Sequence, residues 1–328
     1  MCSGEARVKD ATDHFDRDFN VVYLRVVRGC NLNCTHCFTL GNRDAFRLAD
    51  LGEIELFLTT LRERLDTRQN VFYIHGGEPF LAPKAYLAQV NALIRRIFAG
   101  RRFDIIPQTN LMYPVDAAFA DFLKREYAGQ IGVSWDPGIR FETGSPRLGE
   151  ELFFRNFRFL ADAGIEMAVA ITVQRHLLKT DPLEVVRRLD GAKSVDFEFL
   201  TFFDEKTRDL RVSNVEWSRY FASIVRHYAE NRTSWALPQV DLFTKSFVEN
   251  KIYQCKCNCC RHRTFTMNAD ATVGLCPDET YIRPLSTVRE MAANWPAFAA
   301  KALGDHVEQL ATPLQPLCNG CEFFDVCG

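Results

Sequence analysis

The chain has 328 residues, 47% hydrophobic and 25% charged, with a formal net charge of -2. These are the proportions of an ordinary globular protein, long enough for one large domain plus a smaller one or for a barrel with an extension. The near-neutral charge and the lack of like-charge runs give no reason to expect a nucleic-acid or membrane partner. No apolar stretch has the length of a membrane span, and residues 1–20 carry no signal-peptide segment, so a cytoplasmic protein is expected. Twelve cysteines in such a chain point to metal or cluster ligation rather than disulfides.

In chain order, the polar leader 1–20 gives way at 21–27 to a strand rich in β-branched residues. Arg28-Gly29-Cys30-Asn31-Leu32-Asn33-Cys34-Thr35-His36-Cys37-Phe38 follows it, a C-x3-C-x2-C loop. Leu51, Ile54, Phe57, Leu58, Leu61 and Leu65 fall at helical spacing and predict a helix over about 50–68. A strand at 70–75 leads to the turn Gly76-Gly77-Glu78-Pro79 and a helix over about 84–99. The unit repeats with strands at 103–107, 130–135, 165–173 and 195–200, and helices at 115–127, 150–163 and 182–189.

Strands alternating with helices imply right-handed crossovers and a parallel sheet. Six units predict an open, partial (β/α)6 TIM-like barrel over 21–205. Chemistry in such barrels gathers at the carboxyl ends of the strands. The unusual residues fall there: the cysteine loop, the glycine turn, Gln108 and Asn110, Ser134 and Asp136, Thr172 and Gln174. A helix over about 213–231 and a second helix or irregular segment over 240–250 then form a helical bridge, 206–250. The remainder, 251–328, is a small cysteine-rich domain containing eight cysteines: Cys255, Cys257, Cys259, Cys260, Cys276, Cys318, Cys321 and Cys327.

Three thiolates within eight residues can hold three corners of a cluster and leave a fourth metal position open to substrate or cofactor. A closed zinc site normally has four ligands. Glycines in the 76–79 turn let a ligand lie against the main chain, whose carbonyls, with the Glu78 carboxylate, could accept from an ammonium. His36 and His75 read as hydrogen-bonded structural residues.

The cysteine loop and the glycine turn together resemble the radical S-adenosylmethionine enzymes. The resemblance implies a 4Fe-4S cluster on Cys30, Cys34 and Cys37 and S-adenosylmethionine chelated to its open iron. It places Phe38 near the adenine and Gly76, Gly77, Glu78 and Pro79 at the methionine amine. Gln108, Asn110, Ser134 and Thr172 become candidates for ribose and methionine contacts, and Arg140 or Arg147 for the carboxylate. Reduction by a flavodoxin- or ferredoxin-type partner would release a 5'-deoxyadenosyl radical that takes a hydrogen atom from the substrate.

The carboxyl-terminal cysteines resemble the SPASM/twitch extension of that superfamily. Cys255, Cys260, Cys276, Cys318, Cys321 and Cys327 are its candidate ligands, for one or two auxiliary iron-sulfur clusters. Ala271 stands five residues before Cys276, where the extension usually has glycine, and Cys318, Cys321 and Cys327 follow its C-x2-C-x5-C spacing. The pattern then lacks two further cysteines at Gly328, which leaves the ligand sets open. A zinc site at Cys318 and Cys321 suits the C-x2-C pair equally. Asp278 or Glu279, just after Cys276, would be the general base.

SPASM enzymes often modify peptides, so the expected activity is cross-linking or oxidation of a peptide side chain. The short segment before residue 21 is not read as a separate peptide-binding domain. The alternative is a small-molecule dehydrogenase acting on a sugar or cyclitol. An electron-transfer or metal-sensing protein is the reading of another class, and it would have no use for the glycine turn at the barrel rim.

Overall fold

The computed structural model describes residues 11–34, 36–37, 46–140, 146–200, 205–231, 233–249 and 259–310. Phe38, Cys255, Cys318, Cys321 and Cys327 lie outside the described residues. The strands are β1 (Phe19–Arg28), β2 (Arg47–Leu48), β3 (Gln69–Gly76), β4 (Arg102–Thr109), β5 (Gln130–Ser134), β6 (Glu166–Val173), β7 (Ser194–Phe199), β8 (Thr264–Met267), β9 (Thr272–Gly274) and β10 (Ser286–Thr287). The helices are α1 (Leu51–Leu65), α2 (Lys84–Ile97), α3 (Ala117–Tyr127), α4 (Pro146–Asp162), α5 (Pro182–Arg188), α6 (Asn214–Asn231), α7 (Pro238–Glu249), α8 (Val288–Ala293) and α9 (Trp295–Leu310).

One sheet runs in the order β10-β9-β8-β1-β3-β4-β5-β6-β7, with β2 paired to β1. Six consecutive strands of it, β1 and β3 to β7, are mutually parallel and correspond to the six expected strand-helix units. This is the partial TIM-like barrel expected of the sequence. Helix starts follow local chemistry: Asp50, Asp116 and Asp181 each accept from main-chain N–H groups at the first turns of α1, α3 and α5.

Two-residue alternation sorts each strand between two environments. Val22 and Leu24 of β1, Phe72 and Ile74 of β3, and Met167, Val169 and Ile171 of β6 are buried against the helices. The intervening residues, including Tyr23, Arg25, Tyr73 and His75, form the inner face, with Tyr23 beside Tyr73 and Arg25 beside His75 in register. On β5 and β6 that face carries Gly132, Ala168 and Ala170, whose small side chains leave room inside the barrel.

The carboxyl-terminal region is joined to the barrel by strand pairing. β8 pairs in parallel with β1, Val21 opposite Thr264 through Leu24 opposite Met267, and so extends the barrel sheet itself. The sequence of β8, Thr-Phe-Thr-Met, is too short and too mixed to announce a strand, and its partners are β1 on one side and β9 on the other. The leader differs from a purely polar segment. Residues Ala11–His14 form a helical turn, and Phe15 is buried against Phe265 and Trp295 at ring-centroid distances of 5.1 and 5.3 Å.

The β8–β9 hairpin turns at Asn268, whose N–H donates to Thr272 O, while Ala271 N–H donates to Asn268 O. Ala271 closes the turn at φ +64°, in the left-handed region that favours glycine. Ala271→Gly should stabilise the protein by about 0.5–1 kcal/mol, the strain relieved less the added unfolded-chain entropy. Urea unfolding midpoints of the two proteins check this, and an unchanged or lower midpoint would contradict it.

Candidate active site

The cysteine loop and the glycine turn meet along a backbone seam. Gly77 N–H donates to Val27 O and Glu78 N–H to Gly29 O, each at 3.1 Å. A Cβ on Gly77 would lie 2.0 Å from Gly29 O, so no other residue fits without moving the cysteine loop. Asn110 holds that loop from the opposite side. Its Nδ2 donates to Asn31 Oδ1 at 2.9 Å, and Asn31 Nδ2 donates to Met112 O at 2.7 Å.

Glu78 is 1% exposed, and its carboxylate is engaged by the protein. Oε2 accepts from Asn110 N–H at 2.8 Å, and Oε1 accepts from the Thr109 hydroxyl at 2.9 Å and Phe80 N–H at 3.2 Å. Its side chain thus ties the turn to the end of β4, leaving main-chain carbonyls as the groups of the turn that an ammonium would meet first. Gln108 reaches across Gly132 to donate to Ser134 Oγ at 2.8 Å. A Cβ at Gly132 would lie 1.8 Å from Gln108 Oε1, so the glycine in β5 is what lets Gln108 lie there.

These residues line a cavity of about 500 Å³ at the carboxyl ends of the strands. Cys30, Cys34 and Cys37 are on its wall together with Gly76, Gly77, Glu78, Gln108, Asn110, Ser134, Arg140 and Thr172. Asp278, contributed by the segment after β9, lines the same cavity. Glu279 does not; Arg261 donates to its Oε2 at 2.7 Å. Pro79 is buried at the start of the turn Pro79–Leu81. Arg147 lies in the first turn of α4, and Cys260 in the turn Cys259–His262.

An ionic group closes one side. Arg140 Nε donates to Asp136 Oδ2 at 2.7 Å, His36 Nε2 lies 3.2 Å from the same oxygen, and Thr172 N–H donates to Oδ1 at 2.6 Å. Burial opposes ionisation of Asp136, but Arg140, His36 and the Thr172 N–H outweigh it and hold the carboxyl well below the usual carboxylate range. His36 therefore has the hydrogen-bonded structural role expected of it. His75 has a similar one, its Nδ1 accepting from Gly76 N–H at 2.9 Å.

The inner face also presents residues that motif reading passes over. Tyr23 and Tyr73 stack with ring centroids 5.0 Å apart, and Asp196 and Glu198 face the cavity from β7. The signal for all four is position: each occupies an inward step of a strand whose other face is apolar. Asp136 and Gly132 carry the same kind of signal, one at a strand end and the other breaking a strand.

None of Cys30, Cys34, Cys37 and Cys276 forms a disulfide. Burial pushes the Cys30 thiol up to about 12 and the Cys34 thiol up to about 11, so each ionises readily only when a metal offsets the charge. Among the described residues, no three His, Cys, Asp or Glu side chains converge on one point as a single zinc ion requires. A 4Fe-4S cluster takes its thiolates on different irons and needs no such convergence. Three thiols on one cavity wall, with room in front of them, fit that group.

Residues 24–189 match the family model of the radical SAM superfamily, and the chain belongs to it. A solved structure of native anSMEcpe with bound AdoMet and Kp18Cys peptide matches with a TM-score of 0.77 and 17% identity, covering 94% of this chain and 88% of that one. A crystal structure of Streptococcus suis SuiB bound to S-adenosylmethionine matches with a TM-score of 0.64 and 11% identity, covering 98% of this chain and 74% of that one. SuiB bound to its precursor peptide SuiA matches with a TM-score of 0.62 and 11% identity, covering 98% and 73%. No curated protein matches the sequence. Among the described residues, no helix is long and apolar enough to cross a membrane.

Gly77→Ala should displace the cysteine loop, and reconstituted protein should then retain well under half of the wild-type iron at the first cluster, measured by iron analysis and visible absorbance. Wild-type iron content would refute the seam's role. Burial raises the Glu78 pKa from 4.5 to about 7, against hydrogen bonds from Asn110, Phe80 and Thr109. The folded protein therefore keeps a proton that the unfolded chain has already lost, and stability falls as pH rises from about 4.5 to about 7. In cluster-free protein, Glu78→Gln should flatten that part of the stability curve. It should also cost about 1–3 kcal/mol at pH 5, because the amide cannot accept hydrogen bonds at both ends.

Proposed function

We propose that this radical SAM enzyme abstracts a hydrogen atom from a peptide side chain lying in the cavity, and that Asp278 takes up the proton the substrate radical then loses, the remaining electron going to an auxiliary iron-sulfur cluster that would act as its acceptor. The carrying observation is the convergence of Cys30, Cys34, Cys37 and Asp278 on one cavity from opposite ends of the chain. With cluster and S-adenosylmethionine bound at the three-thiol wall, the cofactor supplies the hydrogen-abstracting species. The protein's part is placement. The seam at Gly77 sets the cysteine loop, and the Asp136–Arg140 pair keeps a fixed charge at the rim. Gln108, Ser134 and Thr172 offer polar contacts for the ribose and methionine, and Arg140 a partner for the carboxylate.

The peptide reading is supported by the fold's likeness to anSMEcpe and SuiB, whose structures hold a Kp18Cys peptide and the precursor peptide SuiA. Cys255, Cys260, Cys276, Cys318, Cys321 and Cys327 supply ligands for one or two auxiliary iron-sulfur clusters. The first electron comes from a flavodoxin- or ferredoxin-type reductant. Iron and zinc analysis of the loaded protein separates auxiliary clusters from a zinc site.

The test is anaerobic turnover with S-adenosylmethionine, a chemical reductant and any short peptides encoded beside the gene, with sugars and cyclitols run in parallel. Formation of 5'-deoxyadenosine in step with a mass change in one peptide is expected, and both should vanish in Cys30→Ser, Cys34→Ser and Cys37→Ser. Asp278→Asn should slow peptide conversion by about a hundredfold or more, while Glu279→Gln, already held by Arg261, should leave it near wild type. Coupling to a sugar or cyclitol and to no peptide would replace this reading with that of a small-molecule dehydrogenase.

A further inference from the structure

Arg25 is an arginine on the inner face of β1, 3% exposed and just below the cysteine loop. Its guanidinium reaches two points of the carboxyl-terminal segment. Nη1 donates to Asn268 Oδ1 at 2.9 Å, at the β8–β9 turn, and Nη2 donates to Pro277 O, between Cys276 and Asp278. Asn268 carries the contact onward: its Nδ2 donates to Thr272 Oγ1 at 2.9 Å and to Thr280 O at 3.2 Å. Thr280 N–H in turn donates to Cys276 O at 3.0 Å. The Tyr281 ring lies 5.8 Å from the Arg25 guanidinium carbon and 5.3 Å from that of Arg28. Burial lowers the Arg25 pKa to about 10, with Asp278 and Cys276 pulling the other way, so the group is a cation at neutral pH.

A planar guanidinium can hold two acceptors in fixed directions, and an ammonium cannot. Here the acceptors are a side chain at a hairpin turn and a main-chain carbonyl in the stretch that carries Asp278. We propose that Arg25 is a positioning residue, a two-armed clamp from the first barrel strand that fixes the Cys276–Asp278 stretch at the cavity wall. The placement of Asp278 against the substrate is then set by the barrel rather than by the carboxyl-terminal segment alone. The inference rests on the proposed function for its catalytic consequence, and on geometry alone for the clamp.

The clamp is tested by amide hydrogen exchange on the reconstituted protein. In Arg25→Met, exchange across residues 276–281 should rise by about tenfold to a hundredfold, as expected for losing a charge-assisted pair of hydrogen bonds, while β3 to β6 stay within about threefold of wild type. Arg25→Lys should not restore protection, since it keeps the charge and loses the fork. Exchange that rises equally in all strands, or full protection in Arg25→Lys, would overturn the clamp. Asn268→Ala removes one anchor and serves if Arg25→Met does not fold; protection at 276–281 unchanged in that variant would equally overturn it.

A second readout addresses catalysis. The ratio of peptide-coupled to uncoupled 5'-deoxyadenosine should fall by about tenfold or more in Arg25→Met, whereas loss of folded protein would lower both together. An unchanged ratio would overturn the catalytic role. Wild-type protein that turns over no peptide would refute the peptide reading instead, and the exchange experiment would still decide the clamp.

Discussion

The site depends on one short contact between main chains. Two hydrogen bonds, Gly77 N–H to Val27 O and Glu78 N–H to Gly29 O, bring the turn after β3 against the chain leaving β1. At that distance a side chain on Gly77 would occupy the space of Gly29 O. The cysteine loop thus starts from a position fixed by backbone hydrogen bonding rather than by its own few apolar residues. Glu78 reinforces this seam by tying the turn to β4, and Asn110 reaches from the same place to brace Asn31. The loop, the turn and the end of β4 form one unit at the strand ends, where barrel chemistry concentrates.

Around this unit the barrel supplies space and charge. Gly132, Ala168 and Ala170 leave room on the inner face, and the polar residues opposite the thiols come from the strand ends and from Asp278. The buried Asp136–Arg140 pair illustrates why such a site can keep charges in a partly dry environment. Each partner supplies the interaction that offsets the other's desolvation, and His36 and the Thr172 N–H add hydrogen bonds to the carboxylate. The short-range organisation is consistent across levels: the glycine that permits the seam also leaves the Glu78 N–H free to form it.

Much of this was legible in the sequence, and the reasons are physical. The six parallel strands were readable because short apolar runs, β-branched in β1 and β6, are each separated from the next by a helix with a clear apolar stripe, as at Ile54, Phe57, Leu58 and Leu61 in α1. Cys30, Cys34 and Cys37 were readable because three thiols within eight residues have few uses other than metal ligation. The roles of Tyr23, Tyr73, Asp196 and Glu198 were hidden, since an inward position means little until the strands are in register. β8 was hidden for another reason: its four residues take strand conformation through pairing with β1 and β9, the first of them at the other end of the chain. Arg25 is a polar interruption in an apolar strand, and its partners, Asn268 and Pro277, lie far beyond any local pattern.

That pairing of β8 with β1 also has a consequence for how the chain acquires its shape. Arg25 and Asn268 are 243 residues apart in sequence, so the first strand of the barrel receives its outer neighbour only after most of the protein has been made. Contacts of such separation carry a large loop-closure cost and form late. Until then β1 carries an unpaired stretch on that edge at Val21 to Leu24, next to the part that β2 already covers at Val27 and Arg28. Closing that stretch also brings Asn268 and Pro277 to Arg25, so the cavity wall that carries Asp278 is the late-forming part of the site.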